Sequence, residues 1–195
     1  MGSIAAIIFV FAISSWLLGK LIGTDSGPSR IARAVLDGDL DTLSSMLLKC
    51  TEAEKHEALF FAILIEGDKA FDLILDSSPD LKRPLQFGGA ALHMAARYGT
   101  LHMIDRLLSL EVDIDQDSKG TPLYWAADAG RDDVVKRLLE FGADADAVDL
   151  ELLGRSGFKP NFNTREDYDR ISKLIRNSGM PGNHAVNRSD EDLRF

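Results

Sequence analysis

The chain has 195 residues and a mass of 21.4 kDa, with 45% hydrophobic and 27% charged residues, a composition that excludes a wholly disordered chain and a polytopic membrane protein and suits one globular domain. Twenty-two Lys and Arg against 31 Asp and Glu give a net charge of −9, which excludes a general binder of nucleic-acid phosphates. Cys50 is the one cysteine, so an internal disulfide and a thiolate metal cage are excluded as well.

The first element is apolar. Residues 2–19 carry no charge, and 4–18 read IAAIIFVFAISSWLL. With Lys20 snorkelling, Leu21 and Ile22 extend the run to a length that spans a bilayer, and Trp16 and Lys20 stand where interface anchors are expected. No Lys or Arg precedes the run and no small-residue cleavage site ends it, so an uncleaved transmembrane anchor over 1–23 is expected rather than a signal peptide. Ala6 rules out the myristoylation pattern. Lys20, Arg30 and Arg33 follow the span, which places the remainder of the chain on the cytoplasmic side of a single-pass membrane protein. Residues 24–29, TDSGPS, form a polar linker.

Beyond the linker the chain repeats itself. A shift of 31 residues superposes Leu92 on Leu123, Ala95 and Ala96 on Ala126 and Ala127, and Gly99 on Gly130. The same shift brings Ile104 onto Val135, Leu107 onto Leu138, Asp113 onto Asp144 and Asp115 onto Asp146. Within one unit, Thr121 caps a helix with Pro122 in its first turn, and Leu123, Ala126 and Ala127 share a face. Gly130 ends that helix and Gly142 ends the next, whose apolar stripe is Val134, Val135, Leu138 and Leu139. A helix–turn–helix–finger unit of this kind buries its faces only by stacking on neighbours.

Gly120-Thr121-Pro122-Leu123-Tyr124-Trp125-Ala126-Ala127, then Gly130 and Leu138-Leu139-Glu140-Phe141-Gly142-Ala143-Asp144, resembles an ankyrin repeat. Tyr124 and Trp125 replace the family's His-Leu, and the unit is shortened around the finger, between Asp115 and Thr121. On this template four units appear, about 30–50, 56–80, 87–117 and 119–149, within a repeat region of 30–153. In the second, Glu66 stands where glycine is expected. Over 154–178, Thr164 to Asp167 resembles a capping box and Tyr168, Ile171, Leu174 and Ile175 fall on one helical face, so a capping helix that closes the stack is expected. A polar, flexible tail over 179–195 follows. The fold class is therefore all-α: an ankyrin-repeat solenoid preceded by one transmembrane helix.

Few residues suit chemistry. Asp113, Asp115 and Asp117 resemble a calcium loop in spacing, but Ser118 and Tyr124 occupy the positions that need Gly and a bidentate Glu. His56, His93, His102 and His184 accompany no nucleophile motif, no phosphate loop and no zinc spacing. The resemblance gives His93 a structural role and Cys50 reads as a small apolar filler, so no enzyme and no cofactor are expected. An accessory metal-handling or enzymatic factor using His93, His102 and the Asp113–Asp117 carboxylates is the alternative.

The resemblance implies a protein partner bound by finger tips and first-helix faces. Mapped on this chain, the exposed first-helix positions are Met94, Arg97, Tyr98, Trp125, Asp128 and Ala129, with Trp125 and Asp128 on one face. From Glu111 to Glu151 twelve acidic residues face only Lys119, Arg131, Lys136 and Arg137, which leaves −8 in that stretch. Asp113 with Asp144, and Asp115 with Asp146, are expected in register along one edge, where they attract a partner with a basic surface. An adaptor and a protein-specific inhibitor, such as one neutralising a toxin or an enzyme, fit this surface equally, and the anchor raises effective concentration at the membrane.

Overall fold

A computed structural model of the chain describes residues 29–85, 88–153 and 165–178. The described residues are all-helical and contain no strand. They fall into two compact units, one ending at Val112 and one beginning at Asp113. The anchor expected over 1–23, most of the linker, the loop 154–163, Thr164 of the expected capping box and the tail 179–195 lie outside the described residues. Among the described residues no helix is long and apolar enough to cross a membrane.

The N-terminal unit contains α1 (Arg30–Asp37), α2 (Leu40–Leu47), α3 (Glu52–Leu64), α4 (Asp68–Asp76), α5 (Ala91–Tyr98) and α6 (Leu101–Leu108). Local chemistry sets most of these ends. The Ser29 hydroxyl accepts from the Ala32 amide and Asp39 from the Thr42 amide, each satisfying a helix donor with no partner inside the helix. Gly38, at φ +69°, closes α1 in the left-handed region. Pairs form in order, and α1, α3 and α5 stack on one another as do α2, α4 and α6. Ile31, Leu43, Leu59, Ile63, Phe71, Ile74, Met103, Ile104 and Leu107 fill the space between the layers and are fully buried.

The second pair departs from the expected bounds. Its first helix begins at Glu52, ahead of residue 56, and runs for 13 residues against 8 in α1 and α5. A capping box absent from the apolar template sets this start. Thr51 Oγ1 accepts from the Glu54 amide at 3.3 Å, and Glu54 Oε2 accepts from the Thr51 amide at 2.8 Å.

The C-terminal unit contains α7 (Pro122–Asp128), α8 (Asp132–Glu140), a 3₁₀ turn (Ala145–Ala147), α9 (Leu150–Leu153) and α10 (Arg165–Ser178). Thr121 caps α7 through the Tyr124 amide at 3.3 Å, with Pro122 in the first turn. Gly130 and Gly142 take φ +73° and +91° and end α7 and α8. α9 packs on α7 and α10 packs on α8, so α9 and α10 repeat the first-helix and second-helix places of the pair before them. Ile171 and Ile175 are the buried face of α10, the Tyr168 hydroxyl donates to the Leu150 carbonyl at 2.7 Å, and Arg170 pairs with Asp132 at 3.2 Å. The four-residue α9 lacks the alanine and glycine signals that mark the other first helices in the sequence.

Candidate partner-binding surfaces

The first-helix positions do not form the exposed face expected of them. Met94 is fully buried, and Trp125, Asp128 and Ala129 are 9%, 4% and 6% exposed. The reason lies in helix length and crowding. α5 is two turns long and lies between α3 and α6, so every residue from Ala91 to Ala96 is buried and no polar stripe remains. α7 is shorter still and has α8 and α9 packed on it. Arg97 and Tyr98 are half-buried at the end of α5, where Arg97 Nε donates to the Tyr98 hydroxyl at 3.1 Å and the guanidinium lies 5.6 Å from the ring centroid.

The finger carboxylates are on the surface. Asp113, Asp144 and Asp146 are exposed and Asp115 is half-buried. In the first finger Asp113 Oδ1 accepts from the Asp115 amide at 3.1 Å, and in the next Asp144 Oδ1 accepts from the Asp146 amide at 2.9 Å. The same turn thus recurs 31 residues later. Asp115 Oδ1 crosses between fingers to accept from the Asp144 amide at 2.9 Å. Asp117 Oδ1 accepts from the Gly120 amide at 3.0 Å, and Asp149 Oδ1 from the Glu151 amide at 2.8 Å. A row of like charges raised the expectation of a basic partner; the fold supplies a second reason, since these carboxylates satisfy turn amides that no helix or strand satisfies.

Asp113 and Asp117 are therefore engaged by their own turns and Asp115 by the backbone of the next finger. His102 is engaged elsewhere: its Nε2 is 2.9 Å from Asp72 Oδ2, and Arg106 bonds Asp72 and Asp76 on α4. His93 is fully buried in α5. Among the described residues no group of three or more His, Cys, Asp or Glu is placed to hold a metal ion. Cys50 is half-buried, its thiol donates to the Leu47 carbonyl at 3.4 Å, and burial pushes its pKa up, which lowers its thiolate content.

A feature invisible to the repeat template lies beside the extra turns of α3. Ala53, His56 and Glu57 face Arg83, Pro84 and Leu85 across an open groove of about 300 Å³. The residues after α4 are pinned to α3 by side chains: the Asp80 amide donates to Glu52 at 3.2 Å, His56 Nε2 lies 2.8 Å from the Asp80 carbonyl, and Lys55 Nζ donates to the Ser77 carbonyl at 2.9 Å. Because that carbonyl only accepts, Nε2 carries the proton. The sequence signal for this feature was Thr51-x-x-Glu54, a capping box several residues ahead of the apolar repeat.

Stacked helix pairs joined by carboxylate-rich fingers define a class: repeat proteins that present a surface rather than enclose a catalytic cleft. A family model, ankyrin repeats in three copies, matches residues 31–149, and the chain belongs to that family. The family is generally non-catalytic and serves protein–protein interaction. Among curated relatives, Ankyrin repeat and SOCS box protein 5 of Oryctolagus cuniculus is 31% identical over 111 residues, which cover 56% of this chain and 32% of that protein. Protein phosphatase 1 regulatory subunit 27 of Homo sapiens is 29% identical over 157 residues, 78% of this chain and 99% of that protein. E3 ubiquitin-protein ligase hecd-1 of Caenorhabditis elegans is 25% identical over 63% of this chain but only 4% of its own length. The chain thus spans a third or less of the ligase and of the SOCS box protein.

Proposed function

We propose that this chain is a non-catalytic adaptor or protein-specific inhibitor that grips a partner with a basic surface through the finger edge of its C-terminal unit, and that residues 1–22 hold it at a membrane. The observation that carries the partner reading is the pair of equivalent, hydrogen-bonded finger turns. They present Asp113, Asp144 and Asp146 to solvent on backbone already fixed by internal bonds. Preorganised carboxylates lose little freedom on binding, and the local charge of −8 steers a basic partner toward them. The uncharged run 2–19 supports the tether, and Lys20, Arg30 and Arg33 support a cytoplasmic repeat domain. A human relative named as a phosphatase regulatory subunit, matched over 99% of its length, favours a role in controlling another protein.

The partner reading is tested with Asp113→Asn/Asp144→Asn/Asp146→Asn. Asparagine oxygens still accept the turn amides, so the fold is retained while three charges are removed. Loss of partner capture at unchanged melting temperature, together with capture that weakens in high salt, supports it. Capture equal to the parent chain overturns it. Reporters fused after Phe195, one active only inside the cytoplasm and one only outside, test the tether and its orientation.

A further inference from the structure

We infer that the end of the N-terminal unit where α1 and α3 begin is a docking surface for the anionic headgroups of the bilayer that holds the chain. This rests on the tether of the preceding section. Residues 23–29 join the apolar run to α1, and seven extended residues reach at most about 25 Å. The start of α1 is therefore confined near the headgroups.

The surface at that end suits them. The Ser29 amide donates to Glu57 Oε1 at 3.1 Å, which joins the start of α1 to the first half of α3. Leu48 and Lys49 lie between the end of α2 and the start of α3. Lys82 and Arg83 follow Asp80, which is bonded to Glu52 and His56. Arg30, Arg33, Lys49, Lys82 and Arg83 are all exposed, and none makes an ion pair or side-chain hydrogen bond among the described residues. Of the acids at the same end, Glu52 pairs with Lys55 and accepts from the Asp80 amide, Glu54 accepts from Thr51, Glu57 from the Ser29 amide and Asp80 from the Lys82 amide. Asp37, Asp39 and Asp41 lie at the opposite end, around the turn from α1 to α2.

An apolar tip accompanies these cations. Leu48, next to Lys49 in the chain, is 85% exposed. Unpaired cations at the same end as an exposed leucine match an interface of anionic headgroups over acyl chains. Docking there sets the orientation of the unit on the bilayer.

The test uses the full chain in lipid nanodiscs. A fluorophore sits at residue 48 (Leu48→Cys with Cys50→Ser) or at residue 41 (Asp41→Cys with Cys50→Ser), and headgroup spin-labelled lipid is the quencher. Quenching at 48 in phosphatidylserine-containing discs, its loss in phosphatidylcholine alone, and none at 41 in either support docking. Arg30→Gln/Arg33→Gln/Lys49→Gln then lowers the ratio of docked to undocked chain roughly a hundredfold, about fivefold per charge. A label at 48 that stays unquenched while the chain co-elutes with anionic discs overturns docking, leaves the tether standing and gives the patch to a protein partner. A chain that does not co-elute with discs overturns the tether, and docking with it.

Discussion

The carboxylate of Asp115 accepts a hydrogen bond from the backbone amide of Asp144 at 2.9 Å, so a side chain of one finger holds the backbone of the next. Sequence register pairs Asp115 with Asp146, whereas the folded chain pairs it with the backbone two residues earlier. Asp115→Ala is expected to destabilise the chain by about 1 kcal/mol, as for loss of one amide-to-side-chain bond, and Asp115→Asn by less because its oxygen still accepts. Asp146→Asn, at an exposed side chain, is expected to leave stability unchanged. Urea unfolding of the three variants measures this order.

Backbone conformation supplies a second prediction. Glu66 and Glu111 take φ +55° and +53° at helix ends where Gly130 and Gly142 take φ +73° and +91° in the equivalent places. A side chain in the left-handed region costs roughly 1 kcal/mol, part of which glycine gives back in the entropy of the unfolded chain. Glu66→Gly and Glu111→Gly are each expected to stabilise by about 0.5 kcal/mol, while Gly142→Ala destabilises by about 1 kcal/mol. Thermal melting checks the signs. A Glu66→Gly variant that melts lower contradicts the backbone argument.

Trp125 gives a third. A ring 9% exposed in α7 belongs to the core, so Trp125→Ala is expected to cost about 3 kcal/mol and to lower the melting temperature by several degrees. Partner capture per folded molecule is expected to be unchanged, because the proposed contact lies on the fingers. Capture normalised to the folded fraction separates the two effects.

Acid sensitivity gives a fourth. The Lys55 side chain first, and then the Asp80 amide, hold the Glu52 carboxyl below its ordinary 4.5. The Thr51 amide first, and then its hydroxyl, do the same for Glu54. The Thr42 hydroxyl and amide hold Asp39 below 3.8. A carboxylate with a lowered folded-state pKa contributes stability that is fully present above its unfolded value and is lost as pH falls through the folded one. Stability is therefore expected to be flat near neutrality and to fall once pH drops below about 4.5. Glu54→Gln is expected to make that fall shallower, as read from urea midpoints along an acid series.

Much of this protein is determined by local sequence. Thr121 and Pro122 begin a helix because one supplies an oxygen for an orphan amide and the other needs no amide partner, and both act within a single turn. Gly130 and Gly142 end helices for an equally local reason. The 31-residue period carries the family, since apolar stripes that recur at a fixed spacing can be buried only by stacking.

Tertiary structure decided which surface remained. Exposure of Met94, Trp125 and Asp128 depends on how many neighbours crowd a two-turn helix, which no periodicity within α5 or α7 records. The extra turns of α3 and the groove beside them depend on a loop 24 residues away, whose Asp80 carbonyl meets His56. α9 became a first helix through its packing on α7, although four residues are too few to hold a helix on propensity alone. The division is physical: caps and turns are bonds between near neighbours in the chain, whereas burial is a sum over atoms the chain brings together only by folding.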